Sequence, residues 1–204
     1  MDELGLFPLG LVLLPTEQLP LHIFEDRYKA LIEECLESDG EFGLLYADDD
    51  GIRDVGTRAR VVEVLTRFED GRLNILIEGG DRFRLEELTR GRSFHTGHVA
   101  PLEDADDPAD SAAVDEALEL FGRLRELTGS DVPVPESASP QLSYALAAKV
   151  ELPADAKLGL LREVSERRRV ELVQDLLANA LLTAQRVRRA AERAATNGRV
   201  DLGS

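Results

Sequence analysis

The sequence predicts an α+β protein, with strands filling its first half and helices its second. Between Leu4 and about Leu102, short apolar runs rich in Val, Ile and Leu alternate with glycine-bearing turns, as in FGLLYADDDG, VVEVLTRFEDGRLNILIEGG and HTGHVAPL. After the acidic stretch EDADDPAD the apolar residues recur at three-and-four spacing instead, the period of a helix. That stretch, with Pro108, reads as an exposed connection. It divides the chain into a β-rich lobe, residues 1–104, and a helical lobe, residues 105–204.

The first element is the run LGLFPLGLVLLP, Leu4 to Pro15. Asp2 and Glu3 stand where an export signal needs basic residues, and Pro8 and Pro15 interrupt the apolar stretch, so the run belongs to the folded protein. Strand ends tolerate proline because ladder donors are not needed there. A strand over Leu9 to Leu14, apolar on both faces, is therefore expected. Next, DRYKALIEECLES places Tyr28, Leu31, Ile32, Cys35 and Leu36 on one side of a helix that Gly40 stops, packed on a sheet or capping a barrel end. Val61 to Phe68 and Leu73 to Ile77 flank Glu69-Asp70-Gly71-Arg72, and Asp-Gly supplies the positive-φ glycine of a hairpin turn. Leu73, Ile75 and Ile77 then share one face of their strand.

In the second half, Asp110 or Ser111 caps a helix whose stripe is Val114, Ala117, Leu118, Phe121, Leu124 and Leu127, ending at Gly129. The three prolines of SDVPVPESASP remove amide donors and make that segment an irregular connection. QLSYALAAKV and ADAKLGLLRE read as short helices, the second with Pro153 just ahead of it, and a long helix follows from about Ser165 to Thr196. Val170, Val173, Leu177, Leu181, Ala184 and Val187 form its stripe. Beyond Leu182 the stripe thins to alanine, so the last turns are expected to project into solvent or against another chain.

Charge narrows the partners. With 24 Lys plus Arg against 40 Asp plus Glu, the net charge of −16 repels phosphate backbones and anionic lipid surfaces, so neither nucleic acid nor membrane is expected as a partner. The two basic clusters, Arg167 to Arg169 and Arg186, Arg188 and Arg189, have acids nearby and read as solvated helix faces. No segment approaches the roughly 20 apolar residues of a membrane span. The single cysteine, Cys35, has no partner for an internal disulfide, and the chain reads as cytoplasmic.

Most familiar chemistries are excluded. A phosphate-binding loop ends in Gly-Lys, and no such pair exists among Lys29, Lys149 and Lys157. Zinc would need more ligands than Cys35, His22, His95 and His98 at compatible spacing, and a strand would put His95 and His98 on opposite faces. The nucleophile turn G-x-S-x-G is missing, and Lys149, six residues from Ser143, reads as a solvated helical lysine rather than a base. Asp48 to Asp50 lack the downstream bidentate glutamate of a calcium loop and read as a charged turn before Gly51. No cofactor, metal or catalytic residue is expected.

A family resemblance rests on several ordered motifs. These are Leu6-Phe7-Pro8-Leu9, Val12-Leu13-Leu14-Pro15, Leu19-Pro20-Leu21-His22-Ile23-Phe24-Glu25 with Arg27-Tyr28, DVGTRARVVEV at Asp54 to Val64, DGRLNILIEGGDRFRL at Asp70 to Leu85, and LPADAKLGLLRE at Leu152 to Glu163. Together they resemble the N-terminal, substrate-binding domain of the ATP-dependent protease Lon, along nearly the whole chain. The resemblance implies a PUA-like pseudo-barrel followed by a helical bundle, the two lobes forming one domain of that type. With neither a phosphate loop nor a Ser–Lys proteolytic segment, the sequence resembles the stand-alone Lon-domain proteins. It departs from the family pattern at Asp26, where Pro is frequent, and at Pro15-Thr16, where the family has Pro-Gly. Both changes read as compatible with the local turns.

What the resemblance implies is a non-catalytic polypeptide-binding module, an adaptor or regulator in proteolysis or protein quality control. Its partners would be unfolded or flexible polypeptides and a protease, with self-association through the C-terminal helix. The candidate polypeptide-binding residues are Glu25, Asp26, Arg27 and Tyr28, at a strand-to-helix junction inside the strongest motif. The alternative is a small-molecule or nucleotide-binding regulatory protein built on the PUA-like lobe.

Overall fold

Strand pairing closes most of the β-rich half into a ring. The structure, a computed structural model, describes residues 2–197. In chain order its elements are β1 (Asp2–Leu9), β2 (Gln18–Ile23), α1 (Asp26–Ser38), β3 (Phe42–Asp48), β4 (Gly51–Arg67), β5 (Leu73–Thr89), β6 (His95–Pro101), α2 (Ser111–Thr128), α3 (Leu142–Ala147), α4 (Ala154–Arg162) and α5 (Glu166–Asn197). The strands run in the order β2-β5-β4-β3-β1-β6, and a further β5–β6 pairing joins the ends of the last five. Only β1 and β3 are parallel. Strand β2 lies outside the ring, paired with β5 alone. The predicted order of strands then helices holds, with a mixed sheet of six strands ahead of α2 and a long last helix. The lobe ends, Met1 and residues 198–204, lie outside the described residues.

Local signals dictate most elements. Gly71 takes φ +80° in the β4–β5 turn, where Phe68 N donates to Arg72 O at 2.9 Å. Leu73, Ile75 and Ile77 are fully buried on one face. Asp110 caps α2 through Ala113 N at 2.8 Å, and Gly129 ends it at φ 67°. Asp48 accepts from Asp50 N at 3.0 Å and from Arg53 Nη2 at 2.6 Å, which makes the acidic triplet a hairpin turn. Helix α1 stops one residue earlier than the glycine suggests. Asp39 itself takes the left-handed conformation, φ 52°, which Asp tolerates better than most residues.

The expected strand over Leu9 to Leu14 is not formed. The ladder occupies Asp2–Leu9 instead, and Pro8 sits inside it, where Phe7, Pro8 and Leu9 pair with β3 and no longer with β6. Residues 10–17 are irregular yet buried from Val12 to Leu14. Side chains do the work of a ladder: Thr57 Oγ1 donates to Leu13 O at 2.7 Å, Leu14 N donates to Glu17 Oε2 at 2.9 Å, and Lys157 Nζ reaches Val12 O at 3.4 Å. Lys157 also pairs with the buried Glu17. Leu13 packs with the sheet and α1, whereas Val12 and Leu14 pack with Phe121, Leu160, Val173 and Leu177 of the helices. One extended segment thus supplies both cores.

Thr16, at the position of the family's glycine, has φ 66°. A β-branched residue in the left-handed region is strained, so the exchange is less compatible with the turn than the sequence suggests. The turn is held by Thr16 N to Gly79 O at 2.8 Å and Gly79 N to Glu17 O at 2.9 Å.

A second correction concerns Arg169. Arg167 is half-buried and Arg168 exposed, but Arg169 is entirely out of water. Its guanidinium meets Asp104, Glu166 Oε2 at 2.6 Å, Ser143 Oγ at 3.1 Å and Glu163 O at 2.8 Å, and lies 4.5 Å over the Tyr144 ring. Arg82, buried on β5, joins through Asp104 and through Leu161 O at 2.7 Å. Ser143 is committed here as well, its N and Oγ donating to Glu166 at 2.9 and 2.7 Å. This network clamps the sheet to the start of α5. Arg186, Arg188 and Arg189 are exposed, as expected.

Candidate functional site

The four candidate residues occupy the junction between β2 and α1, and the structure sorts them into different roles. Glu25 precedes the helix with extended backbone, and its carbonyl accepts from Tyr28 N at 3.0 Å and Lys29 N at 2.9 Å. Its carboxylate does not cap the helix. It accepts from Arg27, Nη2 at 2.6 Å and Nε at 3.0 Å. Asp26 is exposed in the first turn and pairs with Lys29 at 3.2 Å. Tyr28 is turned inward, 5% exposed, with its ring stacked on Phe7 at 3.8 Å between centroids. Burial pushes its hydroxyl above the usual tyrosine range, and Arg27, 4.7 Å over the ring, pulls the other way. Glu25, Asp26 and Arg27 face outward, and Tyr28 anchors Arg27 from beneath.

Aromatic residues continue this surface. Along β2, Leu19, Leu21 and Ile23 point toward the core, so the period of two sends Pro20, His22 and Phe24 outward. Phe24 is 59% exposed. His22 stacks on it at 5.9 Å and meets the edge of Phe68 at 6.1 Å, while Arg72 lies 5.0 Å over the Phe68 ring. The β4–β5 turn is tied to the junction, because Lys29 Nζ reaches Asp70 O at 3.4 Å. Sequence reasoning stopped at Glu25 and missed His22, Phe24 and Phe68. The signal was the alternation running back from Ile23.

This surface borders free backbone. β2 pairs on one side only, and Pro20 sits where an edge strand tolerates a residue without an amide proton. On the opposite edge, β4 beyond Ala59 no longer pairs with β3, and Val62 and Leu65 fall at register shifts, exposed. Bulges at an edge twist it away from uncontrolled pairing.

Among the described residues, no group of three or more His, Cys, Asp or Glu could hold a metal ion, and no helix is long and apolar enough to cross a membrane. Phe24 and its neighbours offer an apolar surface beside unpaired strand backbone.

Similarity to known proteins agrees with this architecture. Lon protease 2 of Myxococcus xanthus is 28% identical over 184 residues, covering 81% of this chain and 22% of that protein. The Lon protease of Paraburkholderia phytofirmans is 30% identical over 177 residues, covering 81% of this chain and 21% of that protein. The chain thus spans about a fifth of the length of the curated relatives it matches. Among solved structures, the crystal structure of a Lon N-terminal domain protein from Xanthomonas campestris is 29% identical with a TM-score of 0.66, covering 87% of this chain and 98% of that one. The N-terminal domain of a Mycobacterium avium complex Lon protease, at 17% identity, 87% and 98% coverage and a TM-score of 0.65, shares the fold. The family model of the ATP-dependent protease La (LON) substrate-binding domain matches residues 3–179, and the chain belongs to that family.

Proposed function

We propose that this chain is a non-catalytic polypeptide-binding module that captures unfolded or flexible segments at the face built by His22, Phe24, Phe68 and the Glu25 to Tyr28 junction. The observation that carries the reading is Phe24, 59% exposed beside a strand paired on one side only. An apolar client side chain lies on the aromatic rings, and the client backbone pairs along the β2 edge, which gives affinity with little dependence on sequence. Glu25 and Asp26 form an acidic rim that, with the net charge of −16, favours clients carrying basic residues. Arg27 is held between Glu25 and the Tyr28 ring and selects against clients with a cation at that point.

In this reading residues 1–104 and 105–204 act as two lobes of one cytoplasmic adaptor or regulator, which hands clients to a protease or withholds them from it. The exposed Leu182 and Val187 on α5 support self-association through that helix.

Calorimetric titration of the chain with one model protein, presented folded and then permanently unfolded at two salt concentrations, tests the reading. Binding of the unfolded form alone, weakened by Phe24→Ser, is the expected result. Equal binding of both forms, or none of either, overturns it.

A further inference from the structure

A cavity in the helical half belongs to neither the aromatic face nor the buried ion network. It has a volume of about 440 Å³ and is walled by Phe121, Leu124, Val150, Ala180 and Ala184, from α2, the segment after α3, and α5. Arg125 and Lys149 line it too, with the exposed Glu151. Arg125 Nε is out of water with no acceptor. Among the described residues, neither the Arg125 nor the Lys149 side chain has an ion-pair or hydrogen-bond partner. Lys149 is exposed and solvated, whereas Arg125 is half-buried on the apolar cavity with a desolvated donor, and that donor is the group an outside anion would serve.

We infer that this cavity binds a monocarboxylate with an apolar tail. The carboxylate accepts from Arg125 and Lys149, and the tail lies on Phe121, Leu124, Val150 and Ala180. Arg125 lines the cavity with its guanidinium unpartnered, and a carboxylate there gains a charge-assisted bond. The volume falls within the roughly 300–1,000 Å³ of small-ligand sites. Glu151 opposes a second negative charge, which disfavours dicarboxylates and phosphates. Free medium-chain fatty acids and the C-terminus of a polypeptide ending in leucines carry this same chemistry. The inference is independent of the reading of the Phe24 face.

Calorimetric titration of the full chain with octanoate tests it, beside octanol, which has the tail without the charge, and acetate, which has the charge without the tail. Acetylated trileucine, as the free acid and as the amide, separates the two sources. Saturable binding of octanoate or of the peptide acid is expected, with none of octanol, acetate or the peptide amide. Preference for the peptide acid assigns the site to chain termini, and preference for octanoate assigns it to free acids. Arg125→Gln weakens binding at least about tenfold, the worth of one charge-assisted hydrogen bond. Ala184→Leu fills the cavity without touching a charge and abolishes binding. Circular dichroism verifies that both variants fold. Absence of saturable binding, equal binding of the uncharged probes, undiminished affinity in Arg125→Gln, or binding that survives in Ala184→Leu overturns the inference.

Discussion

Arg169 grips Asp104 with both arms of its guanidinium, Nη1 to Oδ1 at 2.6 Å and Nη2 to Oδ2 at 2.5 Å, while wholly out of water. Removing one side of a buried ion pair leaves the other charge desolvated and alone. Arg169→Leu leaves Glu166 buried without a cation and Asp104 with Arg82 as its remaining cation, and is expected to cost about 3 kcal/mol, read as a lower urea midpoint. Arg169→Lys recovers only part of this, because an ammonium cannot make the two-pronged contact.

Thr16 offers the opposite change. Its φ of 66° disfavours a β-branched side chain, and glycine adopts it freely. Thr16→Gly is expected to raise stability by about 1 kcal/mol despite the added freedom of the unfolded chain, measured by the shift in denaturation midpoint.

Phe24 and Tyr28, four residues apart, separate binding from folding. Phe24→Ser removes an exposed ring, so client affinity is expected to fall about tenfold or more at unchanged melting temperature. Tyr28→Ala empties a buried site stacked on Phe7 and is expected to cost about 3–5 kcal/mol of stability. Loss of stability in Phe24→Ser equal to that in Tyr28→Ala would remove Phe24 from the site.

Cys35 gives a pH signature. Burial first, and Glu34 second, push its thiol up to about 11 from an ordinary 9.0. The folded state therefore favours the neutral thiol. That contribution is whole below 9.0 and is lost as pH climbs through about 11. Iodoacetamide is expected to label the native chain slowly near neutral pH and the urea-unfolded chain fast, as mass spectrometry would read directly.

The elements that were legible in the sequence are those whose signals are local. The Asp70-Gly71 turn, the Asp110 cap and the stripe of α2 each need only a few neighbouring residues. Leu9 to Leu14 misled because an apolar run reads alike whether its amides meet a strand or meet Glu17, Thr57 and Lys157, and those partners lie up to 145 residues away. Arg169 misled because neighbouring arginines suggest a solvated face. Its spacing of four and eight from Val173 and Leu177 puts it on the buried stripe, the signal that outweighs its charge. At the junction, the sequence marked the position, and the alternation of β2 was needed to find its aromatic neighbours.

The segment from Val12 to Leu14 also fixes an order of events during synthesis. Leu13 needs Ile75 and Ile77, and Val12 and Leu14 need Val173 and Leu177, which leave the ribosome much later. The core around Leu13 is built from residues 7–94, whereas the one around Val12 and Leu14 is not complete until α5 has been made. The nascent β-rich half therefore carries Val12 and Leu14 unburied until the helices emerge, the kind of transient apolar surface that makes a folding chain prone to aggregate.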